Sequence, residues 1–415
     1  MTPPPWSALW SAFGRIGLLS FGGPAAQIAL MREELVDRRG WLDEATFLRG
    51  LGFCTLLPGP EAMQLATFAG WRLRGTAGGV LAGLLFVLPG AVVMAVLAAA
   101  YLAFGRLPAV EAAFLGVKAA VLAVVASALW RLRGSALRGP LAACVAVGAF
   151  AALFVLGLPF WLVLGAALAV GLARPAGPSG PAPAAPVAPR TGRVVAIWLC
   201  VWWAPLLPVI ALAPGSVPAQ AATFFSWLAT VSFGGAYAVL AALAQTVVDT
   251  HGWLSPEQMI DGLGLAETTP GPLILVTLFT AWLGGAQWGG IWGAVATGAV
   301  TVWATFVPCF LWIFAGAPHL ERLAANPRLR GALAMVSAAV AGVIANLSLW
   351  FAIHLLFGQV IDAKGPPRPV WSSIDPVAAG LAALAALWLI GLRRPLPETL
   401  ALGAAAGLLW HLSGI

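Results

Sequence analysis

The sequence contains few charged residues. Only 9% of its 415 residues are charged, whereas 61% are hydrophobic and the mean hydropathy is +0.93. Soluble domains carry about 25% charged residues, so this chain lacks the polar surface that a globule in water needs. Residues 76–105 and 287–318 contain no charge, and each run exceeds the roughly 20 residues with which a helix crosses a bilayer. The composition therefore predicts an all-α polytopic membrane protein.

The sequence also lacks the motifs of several other protein classes. It contains no GxxxxGK[ST] nucleotide loop, no dinucleotide motif and no CxxC pair, so neither an ATP-driven pump nor a redox enzyme is predicted. The N-terminus has no basic start and no small-residue cleavage site, which argues against a removable signal peptide. We expect no metal, no cofactor and no disulfide, and single thiols buried in apolar segments. These thiols are Cys54, Cys144, Cys200 and Cys309.

The net charge of +7 raises the question of a nucleic-acid partner. The basic residues lie in short loops between apolar segments. That distribution is typical of membrane topology, so we expect the lipid bilayer as partner and no nucleic acid.

The chain contains an internal repeat with an offset of 212 residues. Between residues 20 and 60, 17 of 41 positions are identical to their counterparts without a gap. Two glycine- and proline-rich motifs, SFGG and PGP, each occur once in both copies. Shared composition alone does not align Trp, Asp and Pro residues, so the chain is a duplicated membrane unit.

The repeat and the composition divide the chain into four parts. Residues 1–173 form the first membrane repeat and residues 214–415 the second. Residues 174–193 are rich in Pro and Ala, which is typical of an extended, solvated linker. Residues 194–213 form an apolar connecting helix without a counterpart. One extra crossing between two even-crossing units inverts the second unit, the design of many secondary transporters.

Basic residues discriminate between two topologies. If the segments 5–36 and 44–70 were ordinary spans, the arginine-rich loop between them would lie opposite the linker, against the positive-inside rule. If each is a re-entrant hairpin, 18 of the 22 basic residues lie on the linker side. Then only Arg106, Lys364 and Arg368 lie opposite, and Lys118 lies within a span. We therefore favour re-entrant hairpins and a cytoplasmic linker.

This topology has four re-entrant hairpins and nine full spans, or 13 hydrophobic segments in all. The predicted spans are 76–104, 108–130, 138–156, 158–173, 194–213, 287–316, 331–357, 374–391 and 396–413.

The broken helices predict an anion site. Non-helical backbone survives in a membrane only where protein covers it or where it lines a polar cavity. A helix that begins at mid-membrane directs free N–H groups and its positive dipole end into that cavity. The glycines allow close backbone approach, the two serines can donate hydroxyl hydrogen bonds, and the second proline of PGP suits the first helical position. The alternative is that the breaks are kinks and packing sites; their duplication favours a binding site.

The predicted substrate-binding residues are those of the four motifs and the two threonines beside the second PGP. They are Ser20, Phe21, Gly22, Gly23, Pro58, Gly59, Pro60, Ser232, Phe233, Gly234, Gly235, Thr268, Thr269, Pro270, Gly271 and Pro272.

Five polar residues are candidates for coupling or for charge recognition. Glu61 follows the first PGP directly, and Glu267 precedes the second by three residues. A carboxyl that is protonated when the anion binds and ionised when it leaves would couple the two fluxes, although Glu61 also suits a structural role at a helix dipole. Gln64 is a candidate neutral ligand or a packing residue. Arg15 either meets the anion or snorkels to the interface, and Lys118 either acts in transport or pairs with a carboxylate across helices.

The sequence around the motifs resembles the chromate ion transporter family. In the first repeat the resemblance rests on SFGGPAAQIALMREELVDRRGWL and LLPGPEAMQLATFAGWRLRGTAGG. In the second it rests on SFGGAYAVLAALAQTVVDTHGWLSPEQMIDGLGLAETTPGPL. The chain length and two-domain layout are similar to the long, duplicated members. The resemblance implies export of chromate from the cytoplasm across the bacterial inner membrane, with sulfate as a structural analogue.

Residues and resemblance together predict a secondary active transporter that exports chromate, driven by the membrane potential or by protons. The residues alone indicate only a small anion and alternating access. A transporter or channel for sulfate or another small anion is therefore the alternative. Proton coupling and a homodimer are part of the prediction.

Overall fold

The computed structural model describes residues 3–137, 139–175, 191–233, 236–320, 323, 326–361 and 366–413. Within the described residues, the first repeat contains a π-helix, Glu33–Arg38, and seven α-helices: α1 (Trp6–Leu19), α2 (Gly23–Arg32), α3 (Glu44–Cys54), α4 (Glu61–Phe104), α5 (Pro108–Ala136), α6 (Pro140–Phe154) and α7 (Phe160–Ala173). The connecting segment contains α8 (Thr191–Trp203) and α9 (Leu206–Leu212).

The second repeat is also helical. Its described α-helices are α10 (Val217–Val231), α11 (Ala236–Ala244), α12 (Pro256–Thr268), α13 (Val276–Gly316), α14 (Pro327–Leu356), α15 (Pro376–Ala386) and α16 (Leu396–Leu412). Two π-helices, Gln245–Thr250 and Leu387–Gly391, continue α11 and α15. The described part of the chain has one two-stranded antiparallel sheet, β1 (Val360–Ile361) and β2 (Arg368–Pro369). The prediction of an all-α membrane protein is confirmed.

A single helix crosses a bilayer only if it is long and apolar enough, which takes about 20 residues. Within the described residues, four helical stretches are long and apolar enough: Glu61–Phe104, Pro108–Trp130, Leu273–His319 and Pro327–Leu356. Helices α8 and α9, bent by 42°, would make a fifth. The predicted spans 138–156, 158–173, 374–391 and 396–413 correspond to helices of 11 to 17 residues. The chain is a multi-pass membrane protein, and the count of nine spans stays a prediction.

The helices at the motifs are short. α1, α2 and α3 contain 14, 10 and 11 residues, whereas a crossing takes about 20. The SFGG motif separates α1 from α2, and the PGP motif separates α3 from α4. Helices of this length, broken at these positions, suit re-entrant hairpins.

Helix α4 consists of two arms that run antiparallel. Its backbone leaves helical geometry at Arg74 (φ −145°, ψ 31°) and Gly75 (φ 62°, ψ −159°). Gly70 and Gly78, on either side of this bend, face each other so closely that a Cβ on either would collide with the other's carbonyl oxygen. Glycine lets the two backbones meet. The arm 61–73 therefore turns back at Gly75 and continues as the long arm 76–104.

Helix α13 repeats this bend in the second repeat. Gly289 (φ −145°, ψ 28°) and Gly290 (φ 59°, ψ −148°) adopt nearly the same backbone angles, and Gly285 faces Gly293 as closely as in the first repeat. The offset is now 215 rather than 212, because a 3-10 turn, Leu273–Leu275, precedes α13. The repeat thus extends beyond the region in which the sequence is visibly similar.

Packing divides the chain into two compact units that do not coincide with the repeats. The first unit comprises residues 1–96, 174–236 and 269–331, and the second comprises 97–173, 237–268 and 332–415. Each unit therefore contains segments of both repeats. In the second unit, Gly116 of α5 and Gly403 of α16 meet backbone to backbone, which is the close approach that small residues permit between membrane helices.

Two details of the sequence predictions need correction. Cys54 and Cys309 are buried, but Cys144 and Cys200 are exposed, because they lie on the outward faces of the apolar helices α6 and α8. Helix α8 begins at Thr191, three residues inside the predicted linker. Most of that linker, residues 176–190, and Lys364 lie outside the described residues.

Candidate functional site: crossed helix breaks

The two kinds of break meet crosswise within the first unit. The Gly271 N–H donates to the Ser20 carbonyl oxygen at 2.9 Å, and the Gly59 N–H donates to the Ser232 carbonyl oxygen at 3.0 Å. The SFGG motif of each repeat therefore pairs with the PGP motif of the other. The two hydrogen bonds are equivalent under the 212-residue offset. Such reciprocal contacts are those that a two-fold relation between two copies produces.

The PGP turns are tightly covered. Gly59 and Gly271 adopt φ values of +118° and +90°, which glycine tolerates and other residues rarely do. A Cβ on Gly90 of α4 would collide with the Pro270 carbonyl oxygen, and a Cβ on Gly59 would lie 3.0 Å from Cys309 Sγ of α13. The long helix of one repeat thus packs on the PGP turn of the other. This cover is what buried, non-helical backbone requires in a membrane.

The second proline of each PGP motif lies one position earlier than predicted. The Gln64 N–H donates to the Pro60 carbonyl oxygen at 3.1 Å, so Pro60 is the cap of α4 and Glu61 its first residue. Pro272 likewise caps the 3-10 turn, with φ −68° and ψ 136°. The cap position needs extended backbone, which proline adopts readily. The first helical position is therefore Glu61 in one repeat and Leu273 in the other.

The first SFGG break leaves open space at the start of α2. Gly22 and Gly23 have φ values of +85° and +79°. A Cβ on Gly23 would meet no atom within 4 Å, in contrast to the crowded PGP glycines. The predicted close approach to backbone is thus available at Gly23. Phe21 beside it is 38% exposed, and Phe233 is half-buried, whereas Gly234 and Gly235 lie outside the described residues.

The serine hydroxyls have protein acceptors. Ser20 Oγ donates to the Ile16 carbonyl oxygen at 2.6 Å, and Ser232 Oγ donates to the Ala229 carbonyl oxygen at 3.4 Å. In this conformation each hydroxyl donates its one proton within its own helix, and donation from these hydroxyls to a ligand stays a prediction. The donors that remain are backbone N–H groups of the first turns of α2 and α4, which have no acceptor inside a helix.

Two buried glutamines hold the breaks. Gln27 of α2 is 1% exposed, and its Nε2 donates to the Gly271 carbonyl oxygen at 2.7 Å. Gln64 of α4 is fully buried, and its Nε2 donates to the Pro58 carbonyl oxygen at 2.6 Å. Sequence reasoning identified Gln64 but missed Gln27. The sequence feature that could have identified Gln27 is an amide side chain within an apolar re-entrant segment, because an unpaired polar group is costly to bury there.

The two candidate coupling carboxylates lie in different units. Glu61 starts α4 in the first unit, within electrostatic range of the buried thiol of Cys54. Glu267 is buried near the end of α12 and belongs to the second unit. Thr268 also belongs to the second unit and donates its hydroxyl hydrogen bond to Leu265 O at 2.8 Å. Thr269, the first residue of the next segment of the first unit, is buried.

Arg15 lies in a charge cluster and not at the first break. Its Nε is 3.8 Å from Glu34 Oε2, and Arg38 and Arg39 approach the same carboxylate at 2.9 and 2.8 Å. The Glu34 side chain is only 3% exposed. Burial alone would raise the pKa of Glu34, but the hydrogen bond from Arg39 and the three positive charges outweigh it and lower that pKa. The second repeat has Thr246 at the equivalent position, so the cluster belongs to one repeat only.

Lys118 forms an ion pair in the second unit. Its Nζ lies 3.4 Å from Asp261 Oδ1, and Tyr101 donates to Asp261 Oδ2 at 2.8 Å. The structure thus places Lys118 beside a carboxylate on another helix, the second of its two predicted roles. Sequence reasoning missed Asp261, which stands in α12 where the first repeat has Arg49. A lone acid in an apolar helix is the signal that would have found it.

A polar pocket of about 290 Å³ adjoins the α3–α4 hairpin in the first unit. Arg49 and Arg72 line it, together with Thr46, Trp71 and Pro318. Both arginines belong to the first repeat, and the pocket offers positive charge to an approaching anion.

Comparison with known proteins identifies relatives across both repeats. A family model described as "Chromate transporter" matches residues 7–172 and 219–409. The chain is 33% identical over 388 residues to a chromate transport protein of Pseudomonas aeruginosa. The aligned region covers 92% of this chain and 88% of that relative. It is 29% identical to a probable chromate transport protein of Synechococcus elongatus, over 96% of the chain and 94% of the relative. No solved structure matches.

Proposed function

Because the chain belongs to the chromate transporter family, we propose that it exports chromate from the cytoplasm as a secondary active transporter. The curated relatives are named as transport proteins, and the described apolar helices are long enough for a multi-pass protein of the cell membrane. The single observation that carries the mechanism is the crossed pairing of the SFGG and PGP breaks. It joins the two repeats at the points where helices begin inside the apolar chain.

The anion is bound by backbone N–H groups at the starts of α2 and α4. These groups and the positive ends of the helix dipoles stabilise an oxyanion without a cationic side chain. Gly23 supports this assignment, because the space beside it is open. The crowded PGP glycines form the turns that bring the helix starts together. Phe21, two residues before Gly23, is partly exposed.

The topology behind this proposal is that of inverted re-entrant hairpins. Short helices at the breaks and the antiparallel arms of α4 and α13 support it. The arginine cluster around Glu34 also supports it, because only the repeat whose hairpins open toward the cytoplasm needs basic residues there. On this topology the pocket with Arg49 and Arg72 opens on the cytoplasmic side and collects the anion before export.

Transport is coupled to protons through Glu61. This carboxyl is the first residue of α4, where its negative charge competes with an anion for the same helix end. Protonation of Glu61 favours anion binding, and ionisation favours release. Glu61→Gln should abolish stimulation of transport by a pH gradient while the protein still folds. Unchanged stimulation would remove Glu61 from the mechanism, and Glu111→Gln on an exposed helix turn is the matched control.

Uptake of labelled anions into everted vesicles tests the function itself. We expect uptake of chromate, faster with an imposed pH gradient than without it. Uptake of sulfate in the absence of chromate uptake would favour the alternative, a transporter for another small anion. Uptake of neither anion would refute the proposal.

Paired glycine substitutions test the binding site. Gly23 and Gly40 both have positive φ, and a Cβ on either meets no atom within 4 Å. Gly23→Val and Gly40→Val therefore introduce similar backbone strain, but only the first obstructs the start of α2. We expect a raised KM for chromate in Gly23→Val alone. An equal effect of both substitutions, or of neither, would contradict binding at this helix start.

A further inference from the structure

We propose that Gln27 and Gln64 make the site selective for a monoprotonated tetrahedral oxyanion, that is, one that carries a hydroxyl group. The inference rests on the proposed function and names the form of the substrate that the same site accepts. It depends on two side-chain amides whose orientation is dictated by their neighbours.

The neighbours of both Nε2 atoms are carbonyl oxygens. Gln27 Nε2 donates to Gly271 O at 2.7 Å and to Ser20 O at 3.4 Å, and Gln64 Nε2 donates to Pro58 O at 2.6 Å. Carbonyl oxygens only accept hydrogen bonds, so neither amide can be turned around without facing two acceptors toward each other. The positions of both Oε1 atoms are therefore determined as well.

Both Oε1 atoms are buried and have no hydrogen-bond partner among the described residues. A buried acceptor without a donor costs about 1–3 kcal/mol. Two such acceptors next to the crossed breaks, one at each crossing, indicate a ligand that brings its own donors. Neither glutamine has an amide counterpart in the second repeat: Gln27 corresponds to Val239 at the offset of 212, and Gln64 corresponds to Phe279 at the offset of 215 that holds within α13.

A fully ionised oxyanion does not satisfy these acceptors. All of its oxygens are acceptors too, so it would face Gln27 or Gln64 Oε1 with like partial charge. A monoprotonated oxyanion offers one O–H donor to a glutamine Oε1, and its other oxygens accept from the backbone N–H groups of α2 and α4. A singly protonated anion thus satisfies one glutamine acceptor at a time and keeps its remaining oxygens for the backbone donors. Burial strengthens this discrimination, because hydrogen bonds gain in a low dielectric.

The protein also has titratable groups near Gln64, which the test must separate from the substrate. They are Glu61 on the same helix, Cys54 on α3 and Cys309 on α13, whose thiol lies beside the Gln64 amide. Glu61→Gln removes the one carboxyl among them. Sulfate supplies the second separation: chromate gains a proton at mildly acidic pH, whereas sulfate stays fully ionised. Titration of the protein would affect both anions, but protonation of the substrate affects chromate alone.

The test uses the full-length protein in proteoliposomes with the same pH on both sides. Initial chromate uptake is measured over a pH series, with sulfate as competing inhibitor. In Glu61→Gln, we expect the KM for total chromate to decrease as the pH is lowered, in inverse proportion to the monoprotonated fraction, while inhibition by sulfate stays weak and constant. In the wild type, protonation of Glu61 adds an effect that chromate and sulfate share. In Glu61→Gln, a KM that does not change with pH, or inhibition by sulfate that strengthens in parallel with chromate binding, would overturn the inference.

Substitutions then locate the selectivity. Gln27→Met and Gln64→Met keep side-chain length and remove the acceptor, and each should lower the preference for chromate over sulfate about tenfold, the equivalent of one hydrogen bond. Gln220→Met is the matched control, because Gln220 Nε2 donates to Gly215 O at an exposed helix start. Wild-type selectivity in both variants would mean that Gln27 and Gln64 bind only internal water, which contradicts the inference.

Should neither methionine variant fold, the pH series of Glu61→Gln decides by itself. Failure of the proposed function is distinguishable: wild-type protein that transports neither anion refutes the function, whereas chromate transport with a pH-independent KM refutes only the selectivity of Gln27 and Gln64.

Discussion

Substitution of Gly90 by alanine tests the crossed arrangement most directly. Gly90 lies in the long arm of α4, and a Cβ there would collide with the Pro270 carbonyl oxygen and approach Leu275 Cδ1 to 2.7 Å. The leucine can change rotamer, but the carbonyl is part of the second PGP turn. That turn is held by the hydrogen bond from the Gly271 N–H to Ser20 O. Room for the methyl group therefore requires the PGP turn to move away from the first SFGG break.

The expected cost follows from three contributions. Overpacking of a well-packed interior costs about 1–3 kcal/mol, and loss of the crossed hydrogen bond costs about 0.5–1.5 kcal/mol. Alanine in place of glycine in a helix returns roughly 1 kcal/mol. The Gly90→Ala protein should thus be less stable by about 0.5–3.5 kcal/mol and should bind chromate more weakly.

Denaturant unfolding in detergent and vesicle uptake measure the two effects. The matched control is Gly14→Ala in α1, where a Cβ meets no atom within 4 Å and the helix should gain about 0.5–1 kcal/mol. A Gly90→Ala protein as stable as Gly14→Ala, with normal uptake, would refute the packing of α4 against the second PGP turn.

Three further experiments address topology and the charged clusters. Single cysteines at Glu33 and Glu257 should react with impermeant reagents from opposite faces of the membrane; labelling from one face would contradict inverted repeats. Lys118→Met should destabilise the protein by about 3–5 kcal/mol because it leaves the buried charge of Asp261 uncompensated. A double variant that also carries Asp261→Asn should regain most of that stability. A double variant as unstable as Lys118→Met alone would show that the two residues do not interact. Glu34→Gln should cost about 1–2 kcal/mol at neutral pH. Because the pKa of Glu34 is lowered in the folded state, its contribution is present above the usual carboxyl pKa and is lost as pH falls through the lowered value, so a difference that persists at low pH would contradict the assignment.

Local patterns were sufficient for the helix breaks. Glycine and proline act on the backbone of their own residues, so the motifs at Ser20 and Pro58 and their copies predicted where helices end. The one-residue error at Pro60 and Pro272 is also local, since proline suits both the cap and the position after it. The bends of α4 and α13 escaped prediction, because Arg74 and Gly289 differ in type although their backbone angles agree.

The sequence by itself determined that the chain is a duplicated, broken-helix membrane protein of the chromate transporter family, because composition, repeat and motifs are properties of the residues alone. Only the tertiary structure decided which break meets which. Pairing of Ser20 with Gly271 and of Gly59 with Ser232 depends on packing between segments more than 170 residues apart, which no local pattern encodes. The partners of Gln27, Arg15 and Lys118 were likewise decided only by the tertiary structure. A polar side chain in an apolar helix indicates that a hydrogen-bond or charge partner is required, but the sequence does not identify that partner.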